Sequence, residues 1–73
     1  MSLPARIESQ ITEYLNLEFG SNDITENNLK YLGSKNEMHY WTLSKSGKTY
    51  WATVEPYEDS YIIGMTTSKP KLD

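Results

Sequence analysis

Residues 29–67 contain four short runs in which side chains alternate in character, and the connections between the runs are only three or four residues long. Parallel neighbours need a crossover of about a dozen residues or more, whereas antiparallel neighbours can be joined by tight hairpins. The runs therefore predict an antiparallel β-meander. Its strands are predicted at 29–33, 37–44, 48–55 and 60–67.

A helical period precedes the strands. Apolar residues follow one another at spacings of four, three and one, and polar residues fill the positions between them. That spacing places the apolar side chains on one face of a helix. They are Ile7, Ile11, Tyr14 and Leu15. The chain is therefore predicted to be an α+β fold, with an N-terminal helix packed on one face of a four-stranded antiparallel β-meander (α-β-β-β-β).

The ends of this helix carry recognisable signals. Ser2 is suited to the N-cap, and Pro4 falls in the first turn, where a missing N–H costs nothing. Gly20 is placed to close the helix in the left-handed conformation. These signals predict a helix over 4–19, with Leu17 and Phe19 closing its last turn.

The segment 20–28 is rich in turn-forming residues. Asp23 and Glu26 have the spacing of a capping box, which allows a single short helical turn. Ile24 is the one large apolar residue of the segment and is the expected anchor to the core.

Two of the hairpins are predicted to have three-residue loops, Ser34-Lys35-Asn36 and Lys45-Ser46-Gly47, each ending in a residue that tolerates the left-handed conformation. Pro56 is expected to end the third strand. These loops set a register in which Ser44 lies opposite Lys48. Trp51 then falls between Trp41 and Gly64.

This register separates the strand residues into two apolar faces. The first face is predicted to meet the helix and contains Leu32, Met38, Tyr40, Tyr50, Ala52, Val54, Tyr61, Ile63 and Met65. The second face is the predicted binding or interface surface and contains Leu29, Tyr31, His39, Trp41, Trp51, Thr53 and Ile62. One short helix can cover only one face of a sheet, so the second face is where function is expected.

Three uses of the second face are open: self-association as a homodimer, binding of another protein, and stacking of single-stranded nucleic-acid bases on Trp41, Trp51 and Tyr31. The competing structural interpretation is that the loop 20–28 or the C-terminal tail covers this face, or that the helix covers the tryptophan face instead. Large exposed apolar patches are uncommon in monomers, which favours that interpretation.

Composition narrows the class of protein. With 73 residues the chain is predicted to form one small domain over 1–67, followed by a flexible tail at 68–73. A net charge of −3 without a basic run argues against nucleic acid and against anionic membranes as partners. No apolar run is long enough to span a membrane. The absence of cysteine fits a reducing compartment, and a cytoplasmic location is predicted.

The sequence offers little for catalysis. Gly47-Lys48-Thr49 resembles the end of a phosphate-binding loop, but position 42 is Thr rather than Gly and a strand follows instead of a helix. His39 is the only histidine and has no carboxylate placed to orient it. Glu55, Glu58 and Asp59 lack the spacing of a calcium loop. The prediction is a non-catalytic interaction or regulatory module that is a homodimer, with no cofactor and no metal.

Overall fold

The structure is a computed structural model and describes residues 6–72. Its elements form one four-stranded antiparallel sheet in the order β1-β2-β3-β4, with one helix packed against it, so the predicted α+β meander is confirmed. The elements are α1 (Ile7–Phe19), a 3-10 turn (Glu26–Asn28), β1 (Lys30–Lys35), β2 (Met38–Lys45), β3 (Lys48–Tyr57) and β4 (Ser60–Thr66).

Helix α1 ends as predicted and begins later than predicted. Gly20 is left-handed, with φ 65°, and the next N–H, from Ser21, donates to the Asn16 carbonyl at 2.9 Å. The helix starts at Ile7, and the predicted Ser2 cap and Pro4 lie outside the described residues. Phe19, the last residue of the helix, packs against the core.

Leu17 does not help to close the last turn of α1. Its side chain is 83% exposed. Phe19 alone takes that role, with its ring centroid 4.9 Å from that of Tyr50. The prediction for Leu17 is therefore wrong, because the C-terminal turn directs residue 17 away from the sheet.

The side chain of Asn16 holds the segment that follows the helix. Its Oδ1 accepts hydrogen bonds from the Ile24 N–H and the Ser21 hydroxyl, and its Nδ2 donates to the Ile24 carbonyl, each at 3.1 Å. Ile24 is 7% exposed, which confirms it as the anchor. One amide thus satisfies both backbone groups of Ile24, which no strand ladder pairs.

The short turn in this segment is shifted from its predicted position. It begins after Thr25 rather than Asp23, and Asn28 Oδ1 accepts a hydrogen bond from the Thr25 N–H at 2.8 Å. Asp23 instead forms a salt bridge with Lys45 at 3.2 Å. The Lys45 ammonium stabilises the Asp23 carboxylate by hydrogen bonding and charge, which lowers the pKa of Asp23.

The hairpin turns differ from the predicted ones. Each has two central residues: Asn36-Glu37, Ser46-Gly47 and Glu58-Asp59. In the first two turns both central residues have positive φ, between 54° and 77°, which is the pattern of a type I′ turn. Such turns match the twist of the strands, so the predicted three-residue loops are wrong.

The shorter turn moves β2 by one position relative to β3. Lys45 pairs with Lys48, so Trp41 lies opposite Ala52, and Trp51 lies between Thr42 and Thr66. Because side chains alternate along a strand, a slip of one residue moves every side chain of that strand to the other face. The predicted pairing of the two tryptophans is wrong, and they lie on opposite faces of the sheet.

Strand β3 continues past Pro56, which pairs with Tyr61, and ends at Tyr57. The prediction that the proline ends this strand is therefore wrong. Alternate residues of β3 direct their backbone towards β2, and Pro56 occupies one of these positions. Strand β2 begins at Met38, opposite Glu55, so no residue of β2 lies opposite Pro56. The missing N–H therefore costs no ladder hydrogen bond.

We call the side of the sheet that packs on α1 the helix face. It contains Leu29, Tyr31, His39, Trp41, Leu43, Tyr50, Ala52, Val54, Tyr61, Ile63 and Met65. The predicted contributions of β3 and β4 to this face are confirmed. The predicted contributions of Leu32, Met38 and Tyr40 are wrong, because the register error inverted β1 and β2.

Strand β1 contains a bulge that gives it one extra residue. Tyr31 pairs with Trp41 and Gly33 pairs with Tyr40, so Leu32 is unpaired. Gly33 has a φ of 141°, a conformation open almost only to glycine. The bulge turns Leu32 to the side of the sheet away from α1.

All buried hydrophobic residues of the described chain lie on the helix side of the sheet. They are Ile7, Ile11, Leu15, Ile24, Trp41, Leu43, Ala52 and Val54. We call the opposite side the open face. It contributes no fully buried hydrophobic residue in the range 6–72.

Candidate interaction face

The open face carries an aromatic and aliphatic surface. Tyr40 and Trp51 lie on the two central strands and are half-buried, while Tyr57 is 57% and Ile62 is 49% exposed. Its other members on β2, β3 and β4 are Met38, Thr42, Ser44, Thr49, Thr53, Glu55, Ser60, Gly64 and Thr66. A surface of this kind typically marks an interaction site.

Small side chains are the direct cross-strand neighbours of Trp51 at the centre of the open face. They are Thr42 and Thr66. Next along the sheet, Thr53 faces Gly64, where an added Cβ would lie 3.1 Å from the Thr53 Oγ1. Tyr40 is the other aromatic side chain on the central strands, so the open face combines aromatic rings with small side chains.

The C-terminal tail reaches this face. Residues 69–72 line a pocket together with Leu32, and Pro70 and Leu72 are half-buried. Leu32 lies on β1, whereas the tail leaves the sheet from β4, and these strands are the two opposite edges. The tail therefore extends from one edge of the sheet to the other. The predicted flexibility of 68–73 stays a prediction.

The tail is held weakly by hydrogen bonds. Within the described residues its one hydrogen bond runs from the Ser68 N–H to the Thr66 Oγ1 at 3.1 Å. Pro70 and Leu72 are half-buried beside Leu32, and the tail as far as residue 72 forms no backbone ladder with the sheet.

Charge is divided between the two sides of the molecule. Lys30 and Lys35 lie on the open face, and the tail adds Lys69 and Lys71. Helix α1 and the segment after it carry five of the ten acidic residues: Glu8, Glu13, Glu18, Asp23 and Glu26. The β1 edge of the open face is thus locally basic in a chain of net charge −3, whereas β3 adds Glu55 to the same face. Net charge conceals this, and simple strand alternation conceals it too, because it places Lys30 and Lys35 on opposite faces. The bulge at Leu32 brings the two lysines to the same face.

Of the residues predicted for the second face, Trp51, Thr53 and Ile62 lie together on the open face. Leu29, Tyr31, His39 and Trp41 lie on the helix face. The structure therefore does not bring the predicted set together. Tyr40 and Tyr57, which the sequence analysis did not place with Trp51, share its face instead.

Trp41 is part of the core. It is 2% exposed, and its indole N–H donates to the Glu8 carboxylate at 2.9 Å. The Tyr31 ring packs edge-on against it, with 5.1 Å between the ring centroids. A buried indole needs such a partner, and here the bond ties β2 to the first turn of α1. Trp41 is consequently not available for stacking a ligand.

His39 lies at the margin of this aromatic cluster. Its Nδ1 is 2.9 Å from the Tyr31 hydroxyl, and its ring centroid is 6.3 Å from that of Trp41. No carboxylate is hydrogen-bonded to His39 among the described residues. In the same part of the chain no three His, Asp or Glu side chains are grouped to hold a metal ion. The geometry of residues 6–72 therefore supplies no oriented acid–base pair.

Comparisons with protein-family models, with curated proteins and with solved structures found no match to this chain. Helix α1, the one α-helix of residues 6–72, is too short and too polar to cross a membrane.

Proposed function

We propose that this protein is a non-catalytic interaction module that associates with a second copy of itself through the open face. One observation carries the proposal. Every fully buried hydrophobic residue lies on the helix side, whereas Trp51, Tyr57 and Ile62 remain partly or largely exposed on the other. Covering these side chains removes apolar surface from water, which is the main favourable term in association.

The dimensions of the sheet predict a weak dimer. Four strands about 4.8 Å apart, each about seven residues long, present a face of roughly 19 by 23 Å. Two such faces bury on the order of 900 Å² together, at the low end for a specific interface. We therefore expect a dissociation constant in the micromolar range or weaker.

A cytoplasmic location belongs to the same proposal. The chain has no cysteine, which fits a reducing compartment. A weak interaction module needs no disulfide to act there.

Sedimentation of two charge variants tests the use of the open face. Trp51→Lys places a charge at the centre of the proposed interface, and Asn27→Lys adds the same charge at an exposed position in the 3-10 turn. We expect Trp51→Lys to weaken association about ten-fold or more, as the loss of a central aromatic anchor does. Asn27→Lys should associate like the wild type.

Thermal unfolding of both variants shows whether each remains folded at the temperature of the measurement. A folded Trp51→Lys protein that associates as strongly as the wild type would contradict the proposed use of the open face.

A second candidate, binding of single-stranded nucleic acid, is favoured by the lysines around the open face. Lys30, Lys35, Lys69 and Lys71 could meet phosphates while bases stack on Trp51. Titration with oligothymidine should then quench Trp51 fluorescence at low salt and lose the effect as salt rises. Absence of quenching at low salt would remove this candidate.

A further inference from the structure

The two edge strands of the sheet differ in how they are protected against pairing with another chain. Strand β1 carries Lys30 and Lys35 and is interrupted by the bulge at Leu32, and both features discourage edge pairing. Strand β4 has neither a charge nor a proline from Ser60 to Thr66, and its register with β3 is unbroken. Only β4 is open to a further strand.

The register shows which backbone groups of β4 point outward. A two-residue hairpin closes on a hydrogen-bonded pair, here Tyr57 and Ser60. Hydrogen bonding to β3 then recurs at every second residue of β4. The N–H and C=O groups of Tyr61, Ile63 and Met65 consequently face away from β3. No strand of the described chain pairs with that edge.

We propose that β4 pairs antiparallel with β4 of a second copy, about a two-fold axis through Ile63. Ile63 then pairs with the partner's Ile63. Tyr61 pairs with the partner's Met65, and Met65 pairs with the partner's Tyr61. Each of these pairs joins residues whose backbone groups face outward, so each exchanges two hydrogen bonds. The two sheets become one continuous sheet.

Side chains in this register are compatible on both faces. On the open face, Ile62 lies across from the partner's Gly64, which leaves room for its exposed side chain. On the helix face, Tyr61 lies beside the partner's Met65, a favourable sulfur–aromatic pair. No like charges meet, because β4 carries none.

The edge pairing is independent of the stacking of open faces. It uses backbone groups in the plane of the sheet, whereas stacking uses side chains perpendicular to it. Both interfaces are two-fold, so each joins copies in pairs. Either can fail without the other.

A matched pair of variants isolates the edge. Met65→Ala removes the side chain and keeps the outward N–H, whereas Met65→Pro removes both, at an edge position where proline is tolerated. Both are made in the Trp51→Lys background, so that stacking of the open faces is disabled. We expect Met65→Ala to dimerise in sedimentation and Met65→Pro to dimerise about ten-fold more weakly.

Amide hydrogen exchange gives a second readout that side-chain stacking would not produce. In the Trp51→Lys protein, raising the concentration should slow amide exchange at Tyr61, Ile63 and Met65. Exchange at Ile62 and Gly64 should not change, because their N–H groups are already bonded to β3. Equal association of the two Met65 variants, or no protection at the alternate residues, would overturn the edge pairing. Weaker association of the Trp51→Lys protein that still leaves a dimer is the separate readout of the open face.

Discussion

Glu37 occupies a backbone conformation that few residues adopt. It has a φ of 71° in the turn between β1 and β2, directly after Asn36, whose φ is 54°. Asn-Gly is the preferred pair for this turn type. We expect Glu37→Gly to raise the free energy of unfolding by about 1 kcal/mol, because glycine adopts this φ without strain.

Urea unfolding measures this change, and Glu37→Ala is its control. Alanine removes the same charge and keeps the strained φ, so it should give no comparable gain. Equal gains from both variants would show that the charge, not the backbone, limits the turn.

The hydrogen bond between Trp41 and Glu8 is expected to contribute measurably to the free energy of unfolding. Glu8→Ala leaves the buried indole N–H without an acceptor, and we expect it to lower the free energy of unfolding by about 1–3 kcal/mol. Glu8→Gln keeps an acceptor oxygen and should recover most of that loss. A Glu8→Ala protein as stable as the wild type would mean that the bond contributes nothing.

At the level of elements, the order and type of the helix and the strands could be predicted from the sequence. The spacing of apolar residues changes from a helical period to alternation after residue 28. The turn type was harder to predict. Ser46-Gly47 alone and Lys45-Ser46-Gly47 are both acceptable hairpin loops by composition. They differ by one residue in register, and that residue decided which tryptophan lies under α1.

Removal of the C-terminal tail tests whether the tail covers part of the proposed interface. Pro70 and Leu72 lie against the open face beside Leu32, so they occupy part of the surface that the second copy would contact. We expect a chain ending at Ser68 to associate several-fold more tightly than the full chain, by sedimentation. Weaker association after truncation would show instead that the tail contributes contacts to the interface.

At the level of the whole molecule, sequence reasoning predicted that the helix covers only one face of the sheet, because a single short helix cannot cover two. It could not assign the residues of the open face correctly, since β1 and β2 were inverted by the turn error. Trp51, Thr53 and Ile62 were placed correctly because the register of β3 with β4 kept its parity. The basic character of the β1 edge depends on the bulge at Leu32, because without it Lys30 and Lys35 would lie on opposite faces.

The two indole N–H signals in an NMR dilution series test the central claim most directly. Trp51 lies on the open face, whereas Trp41 is buried and bonded to Glu8. Between about 10 µM and 1 mM, a range that brackets a weak dimer, the Trp51 signal should shift with concentration and the Trp41 signal should stay fixed. A Trp51 signal that does not move, or two signals that move together, would contradict association through the open face.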